Sequence, residues 1–202
     1  MGKDKVVISI GRQYGSGGRE IGRRLAEIFN IKFYDKELIT LAAKQSGFSE
    51  DVLKENDEKH NGSFLYSLVM GTYTGGDNLP LNHKLFLAQF DTIKKLAEEE
   101  SCVIIGRCAD YALEYNPNCV KAFIRADIDT RIKRAINEYG VNPETVEEKI
   151  KKIDKQRENY YNFYTGKKWG NMENYDITLN SAFTGIDGAI KVIEDPVSYT
   201  HL

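Results

Sequence analysis

Residues 6–20, Val-Val-Ile-Ser-Ile-Gly-Arg-Gln-Tyr-Gly-Ser-Gly-Gly-Arg-Glu, join an apolar β-type run to a glycine-rich turn, and a helical pattern from Ile21 to Phe29 follows at once. That order suits an anion. Glycines let backbone N–H groups converge on one point, and the N-terminus of the following helix adds partial positive charge there. The ligand it points to is a nucleotide. The loop departs from the usual Gly-x-x-x-x-Gly-Lys-Ser/Thr form, in which the lysine reaches the β- and γ-phosphates and the hydroxyl holds magnesium. With Gly15-Ser16-Gly17 laid on the usual Gly-Ser-Gly, Gly18 takes the lysine position and Arg19 the hydroxyl position; one residue further on, Arg19 replaces the lysine and Glu20 the hydroxyl. Arg19 offers a cation, although its planar fork is not equivalent to a compact ammonium. A tight structural turn without ligand also fits these residues. A dinucleotide fingerprint does not, because Glu20 stands where its third glycine or alanine belongs.

The chain has 202 residues, enough for one domain with a sizeable core and a small insertion. Hydrophobic residues make up 41%, charged residues 29%, and the formal net charge is −2, a balance that favours small ligands over a nucleic-acid surface. Cys102, Cys108 and Cys119 form no Cys-x-x-Cys pair, and His60, His83 and His201 lie far apart, so no protein-held metal is expected. There is no apolar run of membrane-spanning length and no signal-peptide pattern; with three thiols, the sequence predicts a reduced, cytoplasmic protein without membrane partners. Cys102 and Cys108 read as small core residues.

Short β-branched runs recur at Val6–Ile10, Ile31–Tyr34, Cys102–Ile105, Val120–Ile124 and Ile177–Leu179, with helical patterns between most of them. Runs apolar on both faces predict an α/β doubly wound fold, a parallel sheet covered by helices on both sides, with ligands at the carboxyl ends of its strands. The stretch from Asp35 to Cys102 is too long for one crossover and predicts an inserted helical subdomain over about residues 36–81. The stretch closes with a helix capped by Asn82, whose stripe is Leu85, Phe86, Phe90, Ile93, Leu96 and Ala97. A second long helix is expected over Pro143–Tyr164. Its charges read as a solvated face, but it runs into Tyr160-Tyr161-Asn162-Phe163-Tyr164 and Trp169, too aromatic for an exposed linker. Residues 196–202 break the helical pattern of Ile186–Ile193; they read as an artefactual or disordered tail outside a domain of residues 1–195.

Four arginines outside the loop stand where phosphate could be met. Arg107 directly follows Cys102–Gly106, Arg131 and Arg134 share one face of a helix starting near Asp127, and Arg157 precedes the tyrosine cluster. Forked, permanently charged donors suit a phosphoryl group in a charge-spread transition state.

At these residues the chain resembles a known family. Gly15-Ser16-Gly17-Gly18-Arg19-Glu20-Ile21, Phe33-Tyr34-Asp35-Lys36-Glu37-Leu38-Ile39, Ile104-Ile105-Gly106-Arg107-Cys108-Ala109-Asp110 and Arg157-Glu158-Asn159-Tyr160-Tyr161 together resemble the cytidylate-kinase-like branch of the nucleoside monophosphate kinases, over about residues 5–194. The resemblance implies a P-loop kinase fold with a five-stranded parallel sheet, a helical monophosphate-binding subdomain and a lid over about residues 131–168. It implies phosphoryl transfer from ATP to CMP or dCMP, with Mg²⁺ held mainly through the phosphates. Residues 15–19, with Glu20, would hold the donor phosphates. Asp35, Gly106 and Arg107 would meet the acceptor, and Arg131, Arg134 and Arg157 would close on the transferring group. Two departures stand out: the missing loop lysine, and Asp154-Lys155-Gln156-Arg157 in place of the lid's Asp-x-x-Asp-Ser-x-x-Arg. They leave room for a nucleotide-binding sensor that has lost transfer, or for a kinase of another small hydroxylated metabolite oriented by Asp35. The oligomeric state is not set by the sequence.

Overall fold

The computed structural model describes residues 5–35, 38, 40, 41 and 81–201. Strands β1 (Val7–Arg12), β2 (Lys32–Tyr34), β3 (Cys102–Ile105), β4 (Cys119–Arg125) and β5 (Ile177–Asn180) form one parallel sheet in the order β2-β3-β1-β4-β5. Val7 stands opposite Cys102 on one side and Cys119 on the other, so β1 is fully paired at the centre. The described helices are α1 (Gly18–Phe29), α2 (Leu81–Glu99), α3 (Ala109–Ala112), α4 (Ile128–Asn137), α5 (Val146–Thr165) and α6 (Ser181–His201).

The strand side chains alternate between two cores, as a sheet covered on both faces requires. Ile8, Ile10, Val103 and Ile105 pack with Ile21 and Leu25 of α1 and Ile190 and Ile193 of α6. Val7, Cys102 and Ile104 pack with Ile93 and Leu96 of α2 and Ala109 of α3. All three cysteines are buried and free, and burial pushes the Cys102 and Cys119 thiols up to about 12. No described helix is long and apolar enough to cross a membrane.

Connectivity places the site. The chain leaves β1 toward β2 on one side of the sheet, and leaves β3 and β4 toward the other. The carboxyl ends of β1, β3 and β4 therefore bound a crevice, the position that open α/β sheets offer to ligands.

Several boundaries differ from expectation. Helix α5 begins at Val146 because Asn142 turns the chain first, its side-chain oxygen accepting the Glu144 N–H at 2.9 Å. Helix α2 is already under way at Leu81, so Asn82 lies inside it. Most of the insertion expected over residues 36–81 falls outside the described residues.

The break expected at Pro196 is absent: α6 runs through Pro196 to His201, and Val197 is fully buried in the α1–α6 core. The proline frees only the carbonyl of Val192, whose side chain lies on the helix's exposed side, where water can replace the lost bond. The kink in α6 lies instead at Gly185 (φ 68°, ψ 177°). Val197→Ala removes two buried methyl groups and leaves a cavity. It should lower the unfolding free energy by about 1.5–3 kcal/mol in urea titration, whereas an unpacked tail would leave the midpoint unchanged.

Candidate functional site

The carbonyls at the end of β1 and along the loop to α1 are all engaged, four of them by donors from distant segments and one by the loop's own Ser16. The Arg12 carbonyl accepts from Arg157 Nη1 at 3.0 Å, that of Gln13 from the Ser16 hydroxyl at 2.9 Å, and that of Tyr14 from Arg131 Nη1 at 3.4 Å. The Gly15 carbonyl accepts from Arg134 Nη1 at 3.3 Å, and the Ser16 carbonyl from the Ser181 hydroxyl at 2.6 Å. Gly17 caps α1 in the left-handed region (φ 80°), which its missing Cβ permits, and α1 has no side-chain cap. The N–H groups of Gly18, Arg19 and Glu20 therefore point out of the first turn without a protein acceptor among the described residues, which makes an anion-binding helix end.

Two carboxylates organise the arginines around this loop. Asp35, buried just after β2, accepts from Arg19 Nε at 2.7 Å and has Arg12 Nη2 at 4.0 Å. Arg19 also lies over the Phe33 ring at 5.8 Å and is 57% exposed, so its fork reaches across the open crevice from α1 to β2. On the other side, Asp154 of α5 accepts the Tyr14 N–H at 2.7 Å and pairs with Arg131 of α4, with Arg157 Nη1 at 3.9 Å. Burial lowers the pKa of Arg157, Asp154 raises it, Arg107 lowers it and Asp35 raises it. Both carboxylates and Arg107 thus act on one guanidinium.

Arg107 is aimed by an unusual backbone. Gly106, Arg107 and Cys108 are consecutive left-handed residues, with φ of 67°, 58° and 55°. Two of them carry side chains, which costs conformational energy that the surroundings must hold. The buried Cys108 thiol lies among Phe86 and Tyr161, and the Tyr161 hydroxyl donates to buried Asp110 at 2.6 Å, tying α5 to α3. This is where the aromatic run of α5 goes: Tyr164 stacks on Phe86 of α2 with centroids 4.1 Å apart, and Trp169 meets Phe123 edge-on.

The sequence-predicted residues therefore divide. Residues 15–19, Asp35, Gly106, Arg107 and Arg157 meet at the carboxyl edge of the sheet. Arg131 and Arg134 lie there too, but on the outer side of the loop, holding its carbonyls. The Glu20 carboxylate turns away to Arg23 at 2.8 Å on the helix surface, leaving only its N–H at the anion end. Asp154, Arg12 and Ser181 were not singled out. Arg12 closes the first strand at the edge where ligands belong, which is a readable signal. Asp154 is hidden among the nine charged residues of its helix. Among the described residues no three metal-ligating side chains come together, and the Ser16 hydroxyl is engaged by Gln13.

The model of the cytidylate kinase-like family matches residues 7–182. Cytidylate kinases of Pyrococcus horikoshii and Thermococcus kodakarensis are 23% and 25% identical over 201 residues, each alignment covering 98% of this chain and 92% and 91% of theirs. An uncharacterized protein from Eubacterium ventriosum has 34% identity and a TM-score of 0.71, covering 96% of this chain and 99% of its own. Shikimate kinase from Acinetobacter baumannii, solved in complex with shikimate, shares the fold at a TM-score of 0.52 and 12% identity, over 98% of this chain and 96% of its own.

Removing the Asp154 carboxylate strands both the Tyr14 N–H and the nearly buried Arg131. Asp154→Ala should cost about 3–5 kcal/mol of stability, read by chemical denaturation. Burial raises the Asp110 pKa above 3.8, so its favourable protonated form is full below that value and lost as pH rises through the folded one. Asp110→Asn, which keeps an acceptor for Tyr161, should therefore gain stability relative to the parent as pH rises from about 4 to 7; a constant difference across that range would contradict the assignment.

Proposed function

The chain belongs to the cytidylate kinase-like family, kinases of the P-loop fold, and from that premise we propose that it transfers the γ-phosphoryl group of ATP to the phosphate of a nucleoside monophosphate, CMP or dCMP. One observation carries the reading. With the carbonyls of residues 12–16 all engaged, the N–H groups at the start of α1 are left open at the crevice, and Arg107 and Arg157 stand at that same crevice. Two anions side by side are what a nucleotide donor and a phosphate acceptor bring.

In this reading the N–H groups of Gly18, Arg19 and Glu20, with the Gly15–Gly17 turn, hold the donor phosphates. Arg107, beside Gly106, holds the acceptor's phosphate, and Asp35 fixes the Arg19 guanidinium between the two. An acceptor phosphate is already ionised at neutral pH, so the reaction asks the protein for position and positive charge rather than for a base. Residues 131–168 serve as the lid. Arg131 and Arg134 reach the phosphates only by exchanging loop carbonyls for phosphoryl oxygens, so closing the lid and releasing the loop are one event, which also excludes water. Magnesium, which the family implies, finds no ligand set among the described side chains; it arrives with the nucleotide's own phosphates, and the location is cytoplasmic.

The missing loop lysine and the engaged Ser16 hydroxyl favour a second reading, a nucleotide sensor without transfer. ADP release measured with CMP, dCMP, UMP, AMP and non-nucleotide acceptors decides between them. Turnover should depend on CMP or dCMP, whereas ATP binding without acceptor-dependent turnover selects the sensor. Arg107→Ala should weaken the acceptor's KM by about 10–150-fold, the range of a charge-assisted hydrogen bond, while leaving the KM for ATP nearly unchanged.

A further inference from the structure

At the loop's lysine position one alignment places Gly18 and the other Arg19, which is 57% exposed; resting on the phosphoryl-transfer reading above, we infer that Arg12, the last residue of β1, holds the transferring phosphoryl group. Its stem and its head mark the two halves of the crevice. A Cβ on Gly18 would lie 2.6 Å from Arg12 Cβ and 3.2 Å from its Cγ, so the stem runs directly beneath the first turn of α1. A Cβ on Gly106 would collide with Arg12 Nη1, so the head reaches the end of β3, one residue from Arg107. The side chain spans the gap between the donor's helix end and the acceptor's arginine, and the glycines at both ends are what let it pass.

A structural arginine this deep, 19% exposed, normally spends its five N–H donors on carboxylates or carbonyls. Among the described residues this guanidinium donates to no hydrogen-bond acceptor. The carboxylate nearest to it, Asp35 at 4.0 Å, already accepts from Arg19 at 2.7 Å. Burial, Arg157, Arg107 and Arg19 all depress the Arg12 pKa and only Asp35 raises it, so the group sits in a field that a phosphoryl dianion would relieve. Position is fixed as well: the Arg12 carbonyl is held by Arg157, and β4 stays in register with β1 to its end, Ile124 standing opposite Arg12. Arg19, by contrast, is mostly solvated.

During transfer an oxygen of the acceptor phosphate bonds to the γ-phosphorus while the bond from that phosphorus to the bridging oxygen breaks, and the electron pair leaves with ADP. Arg12 keeps all its protons and donates hydrogen bonds to the equatorial oxygens, on which charge accumulates. Its effect therefore falls on kcat more than on ATP binding.

Steady-state kinetics of Arg12→Met and Arg12→Lys test this. The methionine variant should lose about 100-fold or more in kcat, as when one transition-state donor is removed, and the lysine variant about tenfold, with the KM for ATP within about threefold in both. If Arg12→Met does not fold, the lysine variant decides by the same split. A kcat within about threefold of the parent in either folded variant overturns the assignment while leaving the kinase reading intact. Should the unmutated protein transfer phosphate to no acceptor, the kinase reading falls, and the role of Arg12 in transfer falls with it.

Discussion

The direction of the peptide units from Arg12 to Glu20 governs the ligand edge of this protein. Five successive carbonyls are engaged by Arg157, Ser16, Arg131, Arg134 and Ser181, and the N–H groups of the first helical turn are left without an acceptor among the described residues. Each of these bonds is worth about 1 kcal/mol taken singly, and charged donors contribute more. Their joint effect is geometric. Apart from the loop's own Ser16, they come from α4, α5 and the start of α6, so the loop holds its shape only while three helices are docked against it.

Positive charge is concentrated here beyond what the described carboxylates balance. Arg12, Arg19, Arg107, Arg131, Arg134 and Arg157 share Asp35 and Asp154, with Glu138 reaching Arg134 only from the exposed surface of α4. Such crowding opposes folding and favours an anion, so stability and ligand affinity pull on the same residues. Asp154 keeps the arrangement intact by pairing with Arg131 of α4 and the Tyr14 N–H of the loop at once. Its position makes α4, α5 and the loop one mechanical unit.

The expected strands were legible because their chemistry is local: β-branched runs bounded by glycine and polar residues have few other solutions. The Arg107 position was legible for the same reason, since it directly follows a buried strand. Asp154 was not. On its helix it looks like any of its charged neighbours, and only packing against Tyr14 and Arg131, far away in the chain, turns it inward. Glu20 shows the opposite case: its N–H is left open at the helix start, while its side chain finds Arg23 one turn on. Pro196 misled because proline stops a helix by local rules, whereas burial of Val197 rewards continuing it.

The amino-acid order alone determined a parallel sheet, a glycine-rich turn between its first strand and first helix, and arginines placed just past strand ends, because periodicity and turn chemistry act over a few residues. Only the tertiary structure decided which of those arginines face the crevice and which hold the loop from behind. It also decided that Arg12 lies between Gly18 and Gly106, and that Asp154 is the counter-charge for α4. Those outcomes depend on how whole elements dock, with ion pairs and hydrogen bonds between residues 23 to 145 apart, and a one-dimensional pattern carries no information about which guanidinium reaches a carboxylate first.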